Sequence, residues 1–154
     1  MIIKLKPLLI SLAITLGTGA LAGLITMGSM DSYGTLTKPP LSPPGALFPI
    51  VWTILYVLMG VAAYLIYTSH SPDKRRALTL YGVQLGLNFL WPILFFCFHA
   101  YLFSFFWLVA LWILILWTMY AFYQIRPGAA YLLVPYLLWV TFAGYLNLGI
   151  YLLN

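Results

Sequence analysis

Charge is confined to a few short segments of this chain, and long apolar stretches fill the rest. Charged residues make up 6% of the sequence, whereas roughly a quarter is usual in a soluble protein. A helix of about 20 apolar residues crosses a bilayer core, and five uncharged stretches are long enough. They are 7–27, 47–68, 77–98, 103–124 and 129–153. The sequence therefore predicts an all-α membrane protein, a single domain over 1–154 with five transmembrane helices.

Positive charge is divided unequally between the two ends of the predicted bundle. Odd-numbered crossings place the N-terminus and the loops 69–76 and 125–128 on one side, with every Lys and Arg except Lys38. Short loops rich in Lys and Arg stay in the cytoplasm, so the N-terminus is predicted inside and the C-terminus outside, with a bacterial cytoplasmic membrane expected. The net charge of +5 is then a topology signal, and nucleic-acid binding is not predicted. A cleaved signal peptide ending at Ala22 is the alternative for the first stretch, but that stretch continues past it.

Ionisable groups are absent from the predicted spans, which excludes several kinds of chemistry. There is no glutamate, and Asp31 and Asp73 both lie in loops, so neither paired-carboxylate catalysis nor ion coupling through a buried acid is expected. The single cysteine, Cys97, excludes an internal disulfide. Neither His70 nor His99 has a Cys, Asp or Glu at ligand spacing, so no metal site is predicted.

Amide side chains are the polar groups that remain inside the spans. Gln84, Asn88 and Asn147 are costly in hydrocarbon unless they meet a partner or line a cavity. Pro92 lacks an N–H and its ring clashes with the carbonyl of Asn88, so the third span is expected to kink there. Two alternatives stay open: the amides cross-link helices, or Asn88 lines a pocket and contacts a ligand.

Three tryptophans share helical faces with small or amide residues, namely Trp52, Trp91 and Trp139. Trp91 and Trp139 fall near the middle of their spans, away from the membrane interfaces where tryptophan usually gathers. Indole faces offer a large area to a flat aromatic ligand. These three residues are therefore candidates for the wall of a pocket.

The first loop, 28–46, is the one connection long enough to have structure of its own. Five prolines, from Pro39 to Pro49, stiffen the backbone and forbid a regular helix there. A stiff loop of this kind is expected to form a lid over one end of the bundle; the alternative is a simple tether.

Three motifs in order along the chain carry a family resemblance. The first runs from Tyr33 to Tyr56 and contains Lys38-Pro39-Pro40 and Pro49-Ile-Val-Trp52. The second is Gln84-Leu-Gly-Leu-Asn88-x-x-Trp91-Pro92-x-x-Phe95-Phe96, and the third is Pro135-Tyr136-Leu-Leu-Trp139-x-x-Phe142-Ala143-x-x-Leu146-Asn147. Together they resemble the TspO/translocator protein family, also called tryptophan-rich sensory proteins or peripheral benzodiazepine receptors.

The resemblance implies a fold and a function. The implied fold is a five-helix bundle with the first loop over a ligand cavity. The implied function is binding of porphyrins and related tetrapyrroles as a sensor or carrier, with no cofactor required. Some bacterial members are reported to degrade porphyrins in light through two tryptophans that match Trp52 and Trp139, so a light-dependent enzyme is one alternative. A regulatory membrane scaffold is the other.

The resemblance and the shared faces together give a predicted set of site residues. The ligand-binding residues are Trp52, Asn88, Trp91, Phe95, Trp139, Ala143 and Leu146, and those of the lid loop are Leu36, Lys38, Pro39, Pro43 and Pro44. Bacterial members form dimers through small residues on the third helix, which match Gly82 and Gly86, so a homodimer surrounded by lipid is expected.

Two departures from the family pattern bear on the ligand. The family often has Trp-Tyr where this chain has Ser32-Tyr33, and it often has tryptophan at the position of Leu41, so two indoles of the lid are absent. Animal members have a cholesterol motif with Tyr and Arg in the last helix, and the corresponding positions here are Leu148 and Leu152. Sterol recognition is therefore not predicted.

Overall fold

The computed structural model describes residues 2–154, apart from the side chain of Met30, and its regular elements are all helical. The helices are α1 (Leu5–Thr26), α2 (Met30–Thr35), α3 (Leu47–Tyr67), α4 (Lys74–Pro92), α5 (Tyr101–Ile125), α6 (Pro127–Leu132) and α7 (Val134–Leu153). A short 3-10 turn, Met27–Ser29, follows α1, and a π-helical segment, Ile93–Cys97, extends α4.

The five predicted membrane spans are confirmed. Five helical segments of 21 to 27 residues are long and apolar enough to cross a bilayer, and their bounds lie within a few residues of the predicted stretches. The largest difference at a helix start is in α4, which begins at Lys74 rather than at residue 77. Three basic residues thus belong to the first turn of that helix.

The spans form a closed ring of neighbours. Helix α1 packs on α3, α3 packs on α6, and α6 and α7 pack on α5. The ring closes through α4, which contacts α5 on one side and both α1 and α3 on the other. The pairing of α4 with α5 follows from the short connection around His99, which leaves the two helices as neighbours.

Small residues set the distance between α1 and α3. A Cβ on Gly60 would lie 2.8 Å from a methyl group of Leu12 and 3.2 Å from the Leu12 Cα atom, so the glycine admits the α1 backbone. Next to it, the Ser11 hydroxyl donates a 2.7 Å hydrogen bond to the Gly60 carbonyl. At the start of α1, the backbone N–H of Lys4 donates to the Tyr64 hydroxyl at 2.7 Å.

Prolines lie next to interruptions of the regular α-helix in two spans. After Pro92, α4 widens into the π-helical segment, in which the Phe98 N–H donates to the Ile93 carbonyl five residues back. The regular α-helix therefore ends at Pro92, the residue at which the kink was predicted. The fifth span is divided at Leu133, and Pro135 lies in the first turn of α7, where its missing N–H costs nothing.

The proline-rich part of the first loop packs against the end of α7. The Pro39 ring lies 2.5 Å from the position that a Cβ on Gly149 would take, so only glycine fits there. The Tyr145 hydroxyl donates to the Pro40 carbonyl at 2.6 Å. Asn154 binds Thr37 twice, accepting from its N–H at 3.2 Å and donating to its carbonyl at 2.7 Å. The loop also contains α2, which the sequence did not predict.

Candidate ligand cavity

A cavity of about 760 Å³ lies between α1, the end of the first loop, α3 and α4. Its wall is mostly small and apolar: Leu16, Gly19, Ala20, Ala22, Gly23, Thr26, Met27, Asp31, Gly45, Ala46, Phe48, Pro49, Trp52, Thr53, Tyr56, Asn88, Pro92 and Phe96. Several of these residues, including Ala20, Gly23 and Thr53, are exposed on the outer surface of the spans. The cavity therefore opens sideways, between α1 and α3.

The floor of the cavity is the ring of Tyr56. A Cβ on Gly19 would lie 2.4 Å from this ring, so α1 can approach it only because residue 19 has no side chain. At Gly23, by contrast, an added Cβ meets no atom of the described residues within 4 Å. Gly19 therefore permits a close contact between α1 and α3, whereas Gly23 borders the open space of the cavity.

A chain of hydrogen bonds through Asn88 closes the inner side of the cavity. The Tyr56 hydroxyl donates to Asn88 Oδ1 at 2.5 Å, and Asn88 Nδ2 donates to the Tyr136 hydroxyl at 2.8 Å. Tyr136 in turn donates to Gln84 Oε1 at 2.7 Å, and Gln84 Nε2 donates to the Tyr81 carbonyl at 2.9 Å. The cross-linking alternative for the amides is therefore confirmed, because this chain joins α3, α4 and α7. Asn88 also belongs to the cavity wall.

Trp52 lies on the cavity wall, one turn before Tyr56 on the same face of α3. Its ring centroid is 5.7 Å from that of Tyr56 and 6.3 Å from that of Tyr136. The indole is half-buried, so one part is packed among aromatic rings while another faces the open space. This is the arrangement that a stacking residue needs.

Trp139 is separated from the cavity by one aromatic ring. Phe48, which lines the cavity, lies edge-on to Trp139 with 6.0 Å between ring centroids, and it contacts Phe96 in the same way at 5.9 Å. The Trp139 indole N–H is buried and has no hydrogen-bond partner among residues 2–154. A buried donor without an acceptor is unusual in a folded protein.

The other four predicted ligand residues lie in the closed core rather than on the cavity wall. Trp91, Phe95, Ala143 and Leu146 are all 1–2% exposed. Trp91 stacks on Phe95 at 5.3 Å and donates from Nε1 to Asn147 Oδ1 at 3.0 Å. The predicted helical faces do come together, but in this state they pack against one another.

None of the predicted lid residues lines the cavity; Lys38 and Pro43 make contacts within the loop, and Pro39 packs against α7. Lys38 donates to the carbonyls of Tyr33 and Leu36 at 3.1 and 3.3 Å, and its ammonium lies 4.8 Å from the centre of the Tyr33 ring. The Tyr33 hydroxyl donates to the Pro43 carbonyl at 2.7 Å. Burial raises the pKa of Tyr33 to about 12. Neither Pro39 nor Pro44 is a wall residue; the loop contributes Gly45 and Ala46 instead.

The contribution of α1 to the wall was missed by the sequence analysis. From Leu16 to Thr26, α1 supplies six wall residues, four of which are Gly or Ala, and Met27 follows in the 3-10 turn. The concentration of small residues in the second half of the first stretch was the available signal. Small residues are typical of close helix packing in membranes, and the same composition also suits a helix that borders a cavity.

Gly82 and Gly86 lie on the outer face of α4. Both are exposed, and a Cβ added at either would meet no atom of the described residues within 4 Å. Val83 and Leu90 are exposed beside them, at 47% and 41%. This face is therefore available to lipid or to a second chain.

Comparison with known proteins identifies the family to which this site belongs. The family model described as TspO/MBR matches residues 10–153, which include all five spans and the first loop. The chain belongs to the TspO/MBR family. It is 44% identical to the tryptophan-rich protein TspO of Chlorobaculum tepidum over 79% of this chain and 78% of that one. It is 37% identical to that of Archaeoglobus fulgidus over 98% and 99%, and 38% identical to the bovine translocator protein over 75% and 70%.

Membership in the TspO/MBR family and five apolar helices make this chain a multi-pass integral membrane protein. The relatives come from a bacterium, an archaeon and a mammal, so the family match leaves the kind of membrane open. Relatives are named tryptophan-rich protein TspO, tryptophan-rich sensory protein and translocator protein.

Proposed function

We propose that the protein binds flat, hydrophobic ligands of the porphyrin or tetrapyrrole class within the membrane, as a sensor or carrier that requires no cofactor. The observation that carries this proposal is the cavity of about 760 Å³, with the Trp52 indole on one wall and small residues of α1 opposite. Pockets of roughly 300–1,000 Å³ with apolar walls and few polar groups are typical of sites for small molecules and cofactors.

In this proposal, three side chains of the cavity wall have separate roles. The half-buried face of Trp52 stacks on the ligand ring, and Gly19, Ala20 and Gly23 leave room for a flat body on the other side. Asn88 supplies a polar contact at the inner end. Asp31, the one charged residue of the wall, lies in α2 at the mouth, where it repels a ligand carboxylate.

Trp139 joins the site when Phe48 turns away. The two rings are in edge contact, so rotating the phenylalanine side chain into the cavity mouth exposes the indole behind it. The unpartnered Trp139 N–H then meets an acceptor on the ligand, which removes the cost of leaving it unpaired. In this proposal, binding enlarges the cavity towards α7 and brings together the two tryptophans that the sequence singles out.

The test is a titration of the purified protein in nanodiscs with protoporphyrin IX in the dark, followed by tryptophan quenching and absorbance. Trp52→Phe is expected to weaken binding by about threefold to tenfold, the value of one aromatic stacking contact. Trp117→Phe is the matched control, because Trp117 is 49% exposed on α5 and does not line the cavity. Equal losses in the two variants, or binding no stronger than partition into empty nanodiscs, would contradict the proposal and favour a scaffold.

Illumination separates binding from chemistry. A stable porphyrin spectrum in light supports the sensor or carrier. Light-driven loss of the porphyrin band that disappears in Trp52→Phe and Trp139→Phe, while dark binding persists, would instead make the protein a porphyrin-degrading enzyme. The contact of the Trp52 ring with both Tyr56 and Tyr136 is the observation that favours this second candidate, because neighbouring rings share an oxidising equivalent readily.

We also propose a homodimer through the outer face of α4 and an orientation with the basic end in the cytoplasm. The dimer rests on the open glycine face at Gly82 and Gly86, where a second helix can approach closely. Replacing Gly86 with Leu is expected to yield monomers in mass photometry, whereas Gly17→Leu, on the exposed face of α1, is not. The orientation is tested by labelling cysteines placed at Ser71 or Ser42, in a Cys97→Ser background, with an impermeant maleimide.

A further inference from the structure

A second cavity, of about 420 Å³, lies between α1, α3 and α4 towards the basic end of the bundle. Its wall consists of Lys6, Pro7, Ile10, Ser11, Ile14, Ala63, Tyr67, Leu78 and Tyr81, none of which lines the first cavity. The close contact of Leu12 and Thr15 with Gly60 lies between the two cavities along both α1 and α3. The second cavity is therefore a separate site.

Two ammonium groups flank the mouth of this cavity. Lys6 is itself a wall residue and is exposed. Lys74 lies on the other side, where its Nζ donates to the Tyr67 carbonyl at 2.9 Å and lies 5.2 Å from the centre of the Tyr67 ring. Arg75 and Arg76 are exposed in the same helical turn and do not line the cavity, and Asp73 is the one acid in the adjoining loop. The mouth thus attracts anions.

The interior of the second cavity is apolar except for one phenol. Ile10 and Ile14 are 52% and 54% exposed, so they form an edge that faces the membrane. Tyr81 is 7% exposed, yet its hydroxyl is buried and has no hydrogen-bond partner in residues 2–154. The ring itself is fixed by stacking on Phe122 at 6.0 Å. A buried donor is therefore left available to a ligand that enters between the helices.

We propose that this cavity binds an anionic glycerophospholipid from the surrounding leaflet. The phosphate lies between Lys6 and Lys74, one acyl chain follows Ile10 and Ile14, and an ester carbonyl accepts from the Tyr81 hydroxyl. The positions of Lys74 and Tyr81 along α4 support placing the phosphate above the ester. Tyr81 lies two turns, or about 10 Å, below Lys74. Its side chain leans back towards the start of that helix, which is the level of the ester groups. Two flanking cations suit a phosphate better than a single carboxylate.

The test compares phosphatidylglycerol with phosphatidylcholine by native mass spectrometry of protein released from mixed nanodiscs. Wild-type protein is expected to retain one phosphatidylglycerol. Lys6→Gln should lower the preference about fivefold, which corresponds to ~1 kcal/mol for one basic side chain near the membrane surface. Ile10→Trp should abolish retention, because it fills the cavity from the exposed edge without disturbing the core. Arg76→Gln and Ile113→Trp are the matched controls, and both should bind like wild type.

Tyr81→Phe gives a signature that depends on the lipid. Without lipid, the variant should be more stable than wild type, because it removes an unpaired buried hydroxyl. With phosphatidylglycerol the order should reverse, because only the wild type gains the bond to the ester. Equal losses of preference in Lys6→Gln and Arg76→Gln would overturn the proposal in favour of general surface attraction. Displacement of the phospholipid by palmitate at equal concentration would overturn it in favour of a free fatty acid.

Discussion

The two flanks of α3 are built on different principles. Towards α7 and α4, four hydrogen bonds run through Tyr56, Asn88, Tyr136 and Gln84. Tyr56 is 5% exposed, and the other three residues are 1% exposed. Towards α1, the contact depends on glycine. In the most apolar part of the α1 span, 11% of the residues are buried, against 44% in α3. Both cavities lie on this second flank.

The difference shows how a small bundle can be both specific and open. Polar cross-links inside hydrocarbon fix helices in one register, because an unpaired amide or phenol there is costly. A glycine contact fixes only a distance, at one point, and leaves space above and below it. Helix α1 therefore serves as a wall supported by α3 at Gly60, with a cavity on either side of that point.

The largest expected effect comes from filling the point at which the backbones of α1 and α3 approach each other, at Gly60. Gly60→Leu forces a side chain against Leu12 and its backbone, and we expect it to lower the free energy of unfolding by about 3 kcal/mol. Gly17→Leu is the control, since a Cβ at Gly17 would meet no atom of residues 2–154 within 4 Å. Thermal or denaturant unfolding in one detergent measures both. Similar values for the two variants would mean that α1 does not depend on Gly60.

On the other flank, the expected effect is somewhat smaller. Asn88→Leu leaves the Tyr56 hydroxyl without its acceptor and removes one bond to Tyr136, which should cost about 2 kcal/mol. Gln124→Leu, at an exposed position of α5, is expected to be neutral. If Asn88→Leu is as stable as wild type, the hydrogen-bonded flank is not what fixes the register of α3, α4 and α7.

A third comparison sets a residue that lines the first cavity against a residue of the closed core. Ala20→Leu extends into the first cavity from the exposed face of α1, so porphyrin affinity should fall about tenfold at nearly unchanged stability. Ala143 is 1% exposed in the core, where a leucine overpacks its surroundings and should cost about 1–3 kcal/mol. Binding and unfolding are measured on both variants. Unchanged affinity in a folded Ala143→Leu protein would remove Ala143 from the site.

Charge at the cavity mouth has a smaller expected effect. Asp31→Asn removes the carboxylate from the wall, so the affinity for the dicarboxylate protoporphyrin IX should rise about twofold to fivefold at low salt. A porphyrin without carboxylates should be unaffected. An equal gain for both ligands would show that Asp31 acts through the conformation of the loop instead of through charge.

The smallest effect belongs to the loop and depends on pH. The folded pKa of Tyr33 is about 12, whereas an unfolded tyrosine ionises near 10. The unfolded state therefore loses its proton first, and the stability gained by burying the neutral phenol is complete below about pH 10 and is lost as the pH rises towards 12. The difference in melting temperature between wild type and Tyr33→Phe should shrink between about pH 9 and about pH 11.5. A constant difference would contradict this account.

The span boundaries were predictable because each depends on the local absence of charge. Pairing of α4 with α5 was also predictable, since a connection of a few residues permits little else. The pattern at 84, 88, 91 and 95 correctly placed those residues on one buried face. In each case a short stretch of sequence contains all the information that decides the structure.

The contacts between side chains of different helices were not predictable in the same way. Nothing local indicates that Trp91 binds Asn147 while the Trp139 N–H is left unpaired, or that Gly19 meets Tyr56 while Gly23 meets nothing. These outcomes depend on the rotation and tilt of helices that are far apart in sequence. The second cavity has the same origin, because its wall combines the first turns of α1, the last turns of α3 and the start of α4.

The sideways opening of the first cavity has a consequence for how occupancy should be expressed. Its exposed edge, at Ala20, Gly23 and Thr53, belongs to membrane spans, so a ligand that arrives there has already dissolved in the bilayer. The relevant dose is then the mole fraction of ligand in the lipid, and the aqueous concentration matters only through the partition coefficient. Two assays at the same total ligand but different lipid-to-protein ratios should report different apparent dissociation constants and one common value per lipid.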